Sequence, residues 1–415
     1  MGFLLLLLGA RCSARETQAT VPQLPAPTPA TAKLTLAQAL DLALKQNPQI
    51  LQATYQVASA RANLSSQRAP INPTLSYSGL NNTVTTGNFG NPSNYALYAT
   101  IETSGRQGLR TRQARAQLQS SQFDAVTARL TVQQATASAY ITLQVANSNL
   151  DSEQTAYDVA KRLQDLTERQ FKLGSAPETN AIRAQIALTQ EEQNLLQAIN
   201  NVNIARSNLN IQLGRPPATP VDAAEPLEFH PITVQLKTLQ ELALRNRPEI
   251  KSAEAARHAL QAAEGLERSQ YYPDTIVGST LRADAVQLGF TLPIDLGGIR
   301  NGVRKAREDV HVQEAQELQV RNQVELDVQS AFFALDVTRR TAETYQSGLV
   351  PRSKSLLDRT EQGYKLGAST ILDLIDAQTT YRTTITSYNS AIGDYRQALA
   401  QLERAVGIPL TTVLK

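Results

Sequence analysis

Apolar positions along the chain change period several times, and each change marks an element. From about Leu36 to Arg68, and again from about Leu239 to Arg268, the spacing predicts a helix; Pro70, Pro73 and Pro273 stop the two. Beyond each helix the period falls to two. Val286, Leu288, Phe290, Leu292 and Ile294 alternate with Gln287, Gly289, Thr291, Pro293 and Asp295, and Tyr95, Leu97, Ala99 and Ile101 alternate with Ala96, Tyr98, Thr100 and Glu102. These are strand patterns. Leu75 and Tyr77 open the partner of the first, across a Gly/Asn/Pro-rich turn at 87–94. The partner of the second, about Thr275 to Leu281, turns back near Ala283 and Asp284.

A long helix follows each predicted hairpin. Leu109 to Lys172 holds neither Pro nor Gly, and as a helix at about 1.5 Å per residue it would be about 95 Å long. Val303 to Ser347 is equally free of breakers; Gly348 and Pro351 then predict a bend or restart. After Gly367, Ile371, Leu374, Gln378, Tyr381, Ile385, Tyr388, Ile392, Tyr395, Leu399, Leu402 and Val406 step by threes and fours, a coiled-coil seam broken in polarity only by Gln378. Leu188, Leu195, Ile199, Val202, Leu209 and Leu213 take the matching steps earlier in the chain, where Glu192 and Arg206 interrupt them.

That correspondence extends over the whole chain. At an offset of 200, Leu42-Ala43-Leu44, Pro48, Ile50 and Pro73 fall on Leu242-Ala243-Leu244, Pro248, Ile250 and Pro273. At 192, Ser138-Ala139-Tyr140 falls on Ser330-Ala331-Phe332, and at 193, Lys172-Leu173-Gly174 falls on Lys365-Leu366-Gly367. So many ordered matches predict an internal duplication: a first repeat at 34–214, a linker at 215–235 and a second repeat at 236–415.

Phe3–Leu8 is too short to span a bilayer and has the form of the apolar part of a secretory signal, taken here as residues 1–20. The Pro/Ala-rich stretch 21–33 then reads as a flexible linker. Cys12, the single cysteine, is either a lipidation site or an incidental residue of a cleaved peptide; Arg11 stands where lipoprotein signals carry a small residue, which favours the second. The mature chain therefore has no thiolate nucleophile or Cys metal site, and His230, His258 and His311 match no metal-ligand spacing. No GxSxG, GxxxxGK[ST], HExxH or dinucleotide loop occurs, so neither an enzyme nor a cofactor site is expected. Lys+Arg 40 against Asp+Glu 37 leaves no basic excess for nucleic acid. Aromatics at 5 % and no Trp argue against large globular cores and for long helices packed through modest side chains.

Four strands cannot close a barrel, and an open edge in lipid leaves backbone groups unpaired at several kcal/mol each. Helices this long would dwarf a soluble two-hairpin protein. The economical solution is several chains, each lending four strands to one barrel, with their helices packed around a hollow cylinder below it. A coiled-coil adaptor or structural protein of the envelope is the alternative; an adaptor would carry one helical hairpin, not two.

The chain resembles the outer membrane efflux protein family, the TolC-like channels. The resemblance rests on LALKQNPQI (42–50) and its echo LALRNRPEI (242–250), on FTLPIDLGGIRNGVRKARE (290–308), and on RQFKLGSAPETNAIRAQ (169–185) and QGYKLGASTILDLIDAQ (362–378). It implies a mainly α fold with membrane β: a duplicated coiled-coil α-helical barrel, a trimeric twelve-stranded transmembrane β-barrel, and a small mixed α/β belt. The implied location is the outer membrane, with the tunnel in the periplasm. The implied partners are two further copies, outer-membrane lipid, a periplasmic adaptor, and an inner-membrane transporter of resistance-nodulation-division or ABC type.

Site residues follow from the same resemblance. Asp373 and Asp376 match the acidic pair lining the periplasmic aperture; as a plain alternative, Thr370 and Asp373 form a capping box. Tyr364 matches a tyrosine that holds the aperture closed, or is a core aromatic near a helix end. Asn180 and Ser369 stand where the family carries an acidic partner and an arginine of the closing network, so packing and neutral hydrogen bonds are expected to replace an ionic latch. Lys172, Leu173, Gly174, Lys365, Leu366 and Gly367 mark two helix-hairpin tips that would meet the adaptor, the glycines also serving as C-caps. Tyr95, Leu97, Ile101, Val286, Leu288, Phe290 and Leu292 would face lipid, or form the core face of a soluble hairpin. Arg106, Arg110, Arg112, Arg300, Arg304 and Arg307 would contact headgroups, line the upper tunnel, or simply be solvated.

Overall fold

The computed structural model describes residues 33–78, 94–102, 104–280, 286–291 and 294–410. The expected export signal, Cys12, the Pro/Ala-rich linker, most of the two strand turns and Leu292 lie outside these residues.

Each predicted opening helix is two helices. Helix α1 (Leu36–Gln46) is followed by α2 (Pro48–Arg68), and α5 (Leu236–Asn246) by α6 (Pro248–Ser269). The expectation of one continuous helix fails at Asn47 and Arg247 because each precedes a proline, which drives it out of the helical region: ψ is 129° and 121° respectively. Pro48 and Pro248 then start the next helix, where their missing N–H costs nothing.

The strands are β1 (Thr74–Ser78), β2 (Asn94–Ile101), β3 (Asp274–Thr280) and β4 (Val286–Thr291), in one antiparallel sheet of order β1-β2-β3-β4. Pairs such as Leu75 with Leu97, Ala99 with Val277 and Val277 with Leu288 set its register. The middle pairing, β2 with β3, joins the two halves of the chain. Strand β4 stops at Thr291, short of the alternation expected to reach Ile294, which is exposed ahead of the next helix. All helices attach at the one end of the sheet where β1 and β3 begin and β2 and β4 end.

Helix α3 (Arg106–Lys172) runs 67 residues and turns into α4 (Glu178–Gln212). In the second half α7 (Leu296–Thr344) passes through a π-helical turn, Tyr345–Leu349, into α8 (Val350–Lys365), which turns into α9 (Ile371–Val406). The π turn lies at the predicted break. Pro351 has no N–H to donate to the Ser347 carbonyl, and Gly348 lies within the turn. It also lies between Ser330, at offset 192 from the first half, and Lys365, at offset 193. A single π turn lodges one extra residue in an α-helix, which is the residue by which the halves differ.

Three buried clusters hold the helices. One packs α1, α3 and α4 around Ala43, Val132, Tyr140, Leu143 and Leu209; a second packs α5, α7 and α9 around Leu239, Val328, Tyr395 and Leu402. Every residue of the α9 seam is buried or half-buried. Two fully buried tyrosines pin the linker between the halves to the helices. The Tyr140 hydroxyl donates to the Leu34 carbonyl at 2.9 Å and accepts from Glu225 N at 3.4 Å, and the Tyr395 hydroxyl donates to the His230 carbonyl and accepts from Ile232 N, both at 3.0 Å. Burial pushes both phenols above their ordinary pKa. Leu34 and Ala223 form a short parallel bridge beside them. The third cluster, Leu163, Ala184, Ile371 and Leu374, lies at the far end of the helices from the sheet.

Candidate aperture at the helix tips

The two helix-hairpin tips share one construction. After α3, Gly174 (φ 70°) lets Ser175 N donate back to the Gln170 carbonyl at 2.8 Å; after α8, Gly367 (φ 74°) lets Ala368 N donate to the Gly363 carbonyl at 2.7 Å. These are glycine-terminated caps whose left-handed residue a side chain would strain. Lys172 pairs with Glu168 at 2.6 Å and Lys365 with Glu361 at 2.7 Å. The Lys172 ammonium holds the Glu168 carboxyl below its usual range. Glu168 and Glu361 were missed in the sequence, although both lie four residues before a tip lysine and match at the offset of 193. Leu173 and Leu366 project outward, 82 % and 84 % exposed.

The acidic pair begins α9. Asp373 takes part in a capping box: its Oδ2 accepts from Thr370 N at 2.8 Å and from Thr370 Oγ1 at 2.7 Å, while Thr370 Oγ1 accepts from Asp373 N at 3.2 Å. Those bonds to Thr370 lower the Asp373 pKa. Asp373 and Asp376 are both exposed on one side of the first turns. The capping bonds use Oδ2 alone, so the carboxylate also remains open to solvent.

Tyr364 links the tips. Its hydroxyl lies 3.4 Å from Gln170 Oε1 on α3, its ring packs against the third cluster, and burial raises its pKa. The contact is neutral. Ser369 sits against Gly363, whose missing side chain leaves room for the serine hydroxyl. Asn180 is half-buried in the first turn of α4, its N–H donating to the Pro177 carbonyl at 3.1 Å.

An ionic contact does exist higher on the same seam, at residues the sequence had not singled out. Arg382 on α9 donates to both carboxylate oxygens of Glu153 on α3, at 3.0 and 3.3 Å, and lies 3.4 Å from Glu191 on α4. All three are largely buried, and they bind the second half to both helices of the first. A cavity of 720 Å³ opens beside them, walled by Val159, Ile186, Ile375 and Tyr381 among others.

At the sheet end, three of the six arginines pair within the chain. Arg106 bonds to Asp274 and reaches the Ser269 carbonyl at 3.2 Å, and Arg110 donates to Glu102 at 2.7 Å. Arg307 lies 3.4 Å from Glu264; Arg112, Arg300 and Arg304 are exposed. Tyr95, Leu97, Ile101, Val286, Leu288 and Phe290 all sit on strands. Among the described residues no His/Cys/Asp/Glu group is arranged to hold a metal, and no helix is long and apolar enough to cross a membrane.

Comparison with known proteins gives one answer. The family described as outer membrane efflux protein matches residues 39–215 and 239–408. The cobalt-zinc-cadmium resistance protein CzcC of Cupriavidus metallidurans is 23 % identical over 394 residues, covering 92 % of each chain. The CmeC outer membrane channel of Campylobacter jejuni superposes with a TM-score of 0.77 at 18 % identity, over 93 % of this chain and 91 % of that one. The open state of the Neisseria gonorrhoeae MtrE channel superposes at 0.73 with 21 % identity, over 90 % and 89 %. The chain belongs to the outer membrane efflux protein family: it is a non-enzymatic outer-membrane channel protein of the kind used in tripartite export, with its helices on the periplasmic side.

Proposed function

We propose that three copies of this chain form a closed, passive export conduit: a twelve-stranded barrel in the outer membrane, continuous with a helical tunnel whose periplasmic aperture is lined by Asp373 and Asp376. The observation that carries the ring is an unmatched face. Helix α9 packs on α7 of its own half and on α3 of the other. Its counterpart α4 packs on α3 of its own half, and no α7 covers it within the chain. A neighbouring copy would supply that α7, head to tail, and such an interface makes a ring when its rotation closes. The same closure would pair the outer edges of β1 and β4, which an open sheet in lipid leaves unsatisfied.

Two stacked rings of carboxylates at a constriction attract cations and select by charge. Tyr364 and Gln170, with Asn180 and Ser369 nearby, hold the closed form through neutral contacts, and the exposed tips Lys172-Leu173-Gly174 and Lys365-Leu366-Gly367 receive a periplasmic adaptor. An inner-membrane transporter of resistance-nodulation-division or ABC type provides the energy. The duplicated repeats span 34–214 and 236–415 about a linker at 215–235, behind an export signal at 1–20 and a Pro/Ala-rich stretch at 21–33. The alternation of Tyr95, Leu97, Ile101, Val286, Leu288, Phe290 and Leu292 along the sequence is the pattern of a lipid-facing strand surface. The test is single-channel recording in planar bilayers together with the mass of the detergent-extracted protein. A trimer with a cation-selective pore is expected; a monomer without conductance would return the chain to the scaffold reading.

A further inference from the structure

The arginines that follow the strands do not all have the same surroundings. Arg106, Arg110 and Arg307 pair with Asp274, Glu102 and Glu264. Arg112 is exposed and its side chain makes no ion pair or hydrogen bond among the described residues; the same holds for Arg115, one turn further along α3. Both stand on the rim of a groove of 390 Å³ between α3 and α6. Ala116 and Ala262, both buried, make its floor, and His258 and Gln261 make the opposite rim. Toward the sheet the two helices close on each other at Gly265, where a Cβ would stand 3.1 Å from Leu109 Cδ2. Among the described residues no carboxylate lines the groove.

The groove opens away from the channel axis. On α3, Tyr140, Gln144 and Asn147 bond to Leu34 and to Glu225 and Asp222 of the linker, which belts the outside of the wall on the ring reading above. Stepping back along α3 by about 100° per residue places Arg115 on that same face and Arg112 at its edge, with Ser120 and Asp124 opposite. The height fits as well. At about 1.5 Å per residue, Arg112 and Arg115 stand about 9 and 14 Å below the start of α3 at the sheet. Helical side chains lean toward the N-terminus, here toward the sheet, so both guanidiniums reach back up to the layer where headgroups border the hydrocarbon.

Two free guanidiniums over a small apolar floor suit a phosphate, which accepts charge-assisted hydrogen bonds from both. A zwitterionic headgroup would bring its own ammonium among these cations, so the chemistry favours a lipid of net negative charge. We propose that the groove holds the phosphate of an anionic phospholipid from the periplasmic leaflet, gripped by Arg112 and Arg115, with one site per chain. This rests on the ring reading only for the side of the wall on which the groove opens. The second half lacks the site. Arg112 and Arg115 fall on Arg304 and Arg307 at the offset of 192, but Ala116 and Gln117 fall on Glu308 and Asp309. Glu264 already holds Arg307, so negative charge stands where the phosphate would enter.

Native mass spectrometry of the full-length protein, released from membranes and titrated with phosphatidylglycerol, tests this. Wild type is expected to keep up to one phosphatidylglycerol per chain in preference to phosphatidylethanolamine. Arg112→Gln/Arg115→Gln should need at least about ten-fold more phosphatidylglycerol for the same occupancy, because two surface cations are lost. Arg300→Gln/Arg304→Gln removes the same charge nearby and should match wild type. No phosphatidylglycerol on wild type, equal occupancy in the two double variants, or equal binding of phosphatidylethanolamine overturns the site. Displacement of the lipid by glycerol phosphate at matched concentration would make it a site for a free phosphoester and overturns the lipid assignment. The groove lies within one chain, so the mass reports the ring separately: a monomer that still keeps the lipid overturns the ring and leaves the site.

Discussion

Arg247 does in the second half what Asn47 does in the first. Its Nη1 donates to the Ala405 carbonyl at 3.3 Å and to the Arg404 carbonyl at 3.0 Å, at the end of α9; Asn47 Nδ2 donates to the Gln212 carbonyl at 2.8 Å, at the end of α4. Asn47 and Arg247 match at the offset of 200, and Gln212 and Ala405 at 193. The last carbonyls of a helix have no partner within it, so each half recruits the residue at its proline break to satisfy them. The arginine adds ion pairs, to Glu249 at 3.0 Å and Asp327 at 3.2 Å.

Removing Arg247 should therefore cost more than removing Asn47. Arg247→Ala strands two carboxylates and two carbonyls around a buried site, and a loss of about 3 kcal/mol is expected, against about 1 kcal/mol for Asn47→Ala. Denaturant midpoints of the purified channel in detergent measure both; equal losses would show that the ion pairs contribute nothing.

The two linker-pinning tyrosines make a local prediction. Tyr395→Phe keeps the ring and removes the hydroxyl that holds the His230 carbonyl and Ile232 N, at an expected cost of about 1 kcal/mol. Limited proteolysis should then cut faster around residues 228–234 while the tips keep their cleavage rate. An unchanged rate there would mean the linker is held by packing alone.

Capping and charge selection at Asp373 can be separated. Thr370→Ala removes the N-cap, at about 1 kcal/mol, and leaves both carboxylates, so cation selectivity should persist. Asp373→Asn with Asp376→Asn should abolish selectivity, read as a reversal potential in a salt gradient. Asp373 has a lowered pKa in the folded chain, so its contribution is fully present above the ordinary aspartate value and is lost as pH falls through the lower, folded one. Acid should loosen the start of α9 in wild type but not in Asp373→Asn.

Leu173→Asp with Leu366→Asp tests the tips without touching their glycines. Both side chains are in water in the single chain, so folding and bilayer conductance should be unchanged while export with the adaptor is lost. Gly174→Pro with Gly367→Pro should likewise fold its barrel and lose export. Full export by the leucine pair would move the docking surface away from the tips.

Much of this architecture is legible in the sequence because helices and strands repeat with different periods. The eleven-residue seam of α9, the alternation in β2, that in β4 as far as Thr291, and the tip glycines reappear where the pattern placed them. The breaks at Asn47 and Arg247 were not read, because the apolar pattern continues across them and only the following proline betrays the change. Arg382, Glu153 and Glu191 were not found either. Their meaning depends on three helices meeting, and sequence spacing of 38 residues and more between the pair on the first half and beyond says nothing of that. The tip glutamates were within reach, as a lysine pair repeated at one offset invited a search four residues upstream.

The π turn at Tyr345–Leu349 has a further consequence for how the second half keeps step with the first. One residue added to an α-helix rotates everything after it by about 100° and would swing Tyr364, Asp373 and Asp376 to another azimuth around the channel axis. The widened turn absorbs the surplus within five residues, so the tip of α8 still faces Gln170. It acts as a phase corrector, and deleting one residue from it should leave a straight helix with the aperture pointing the same way.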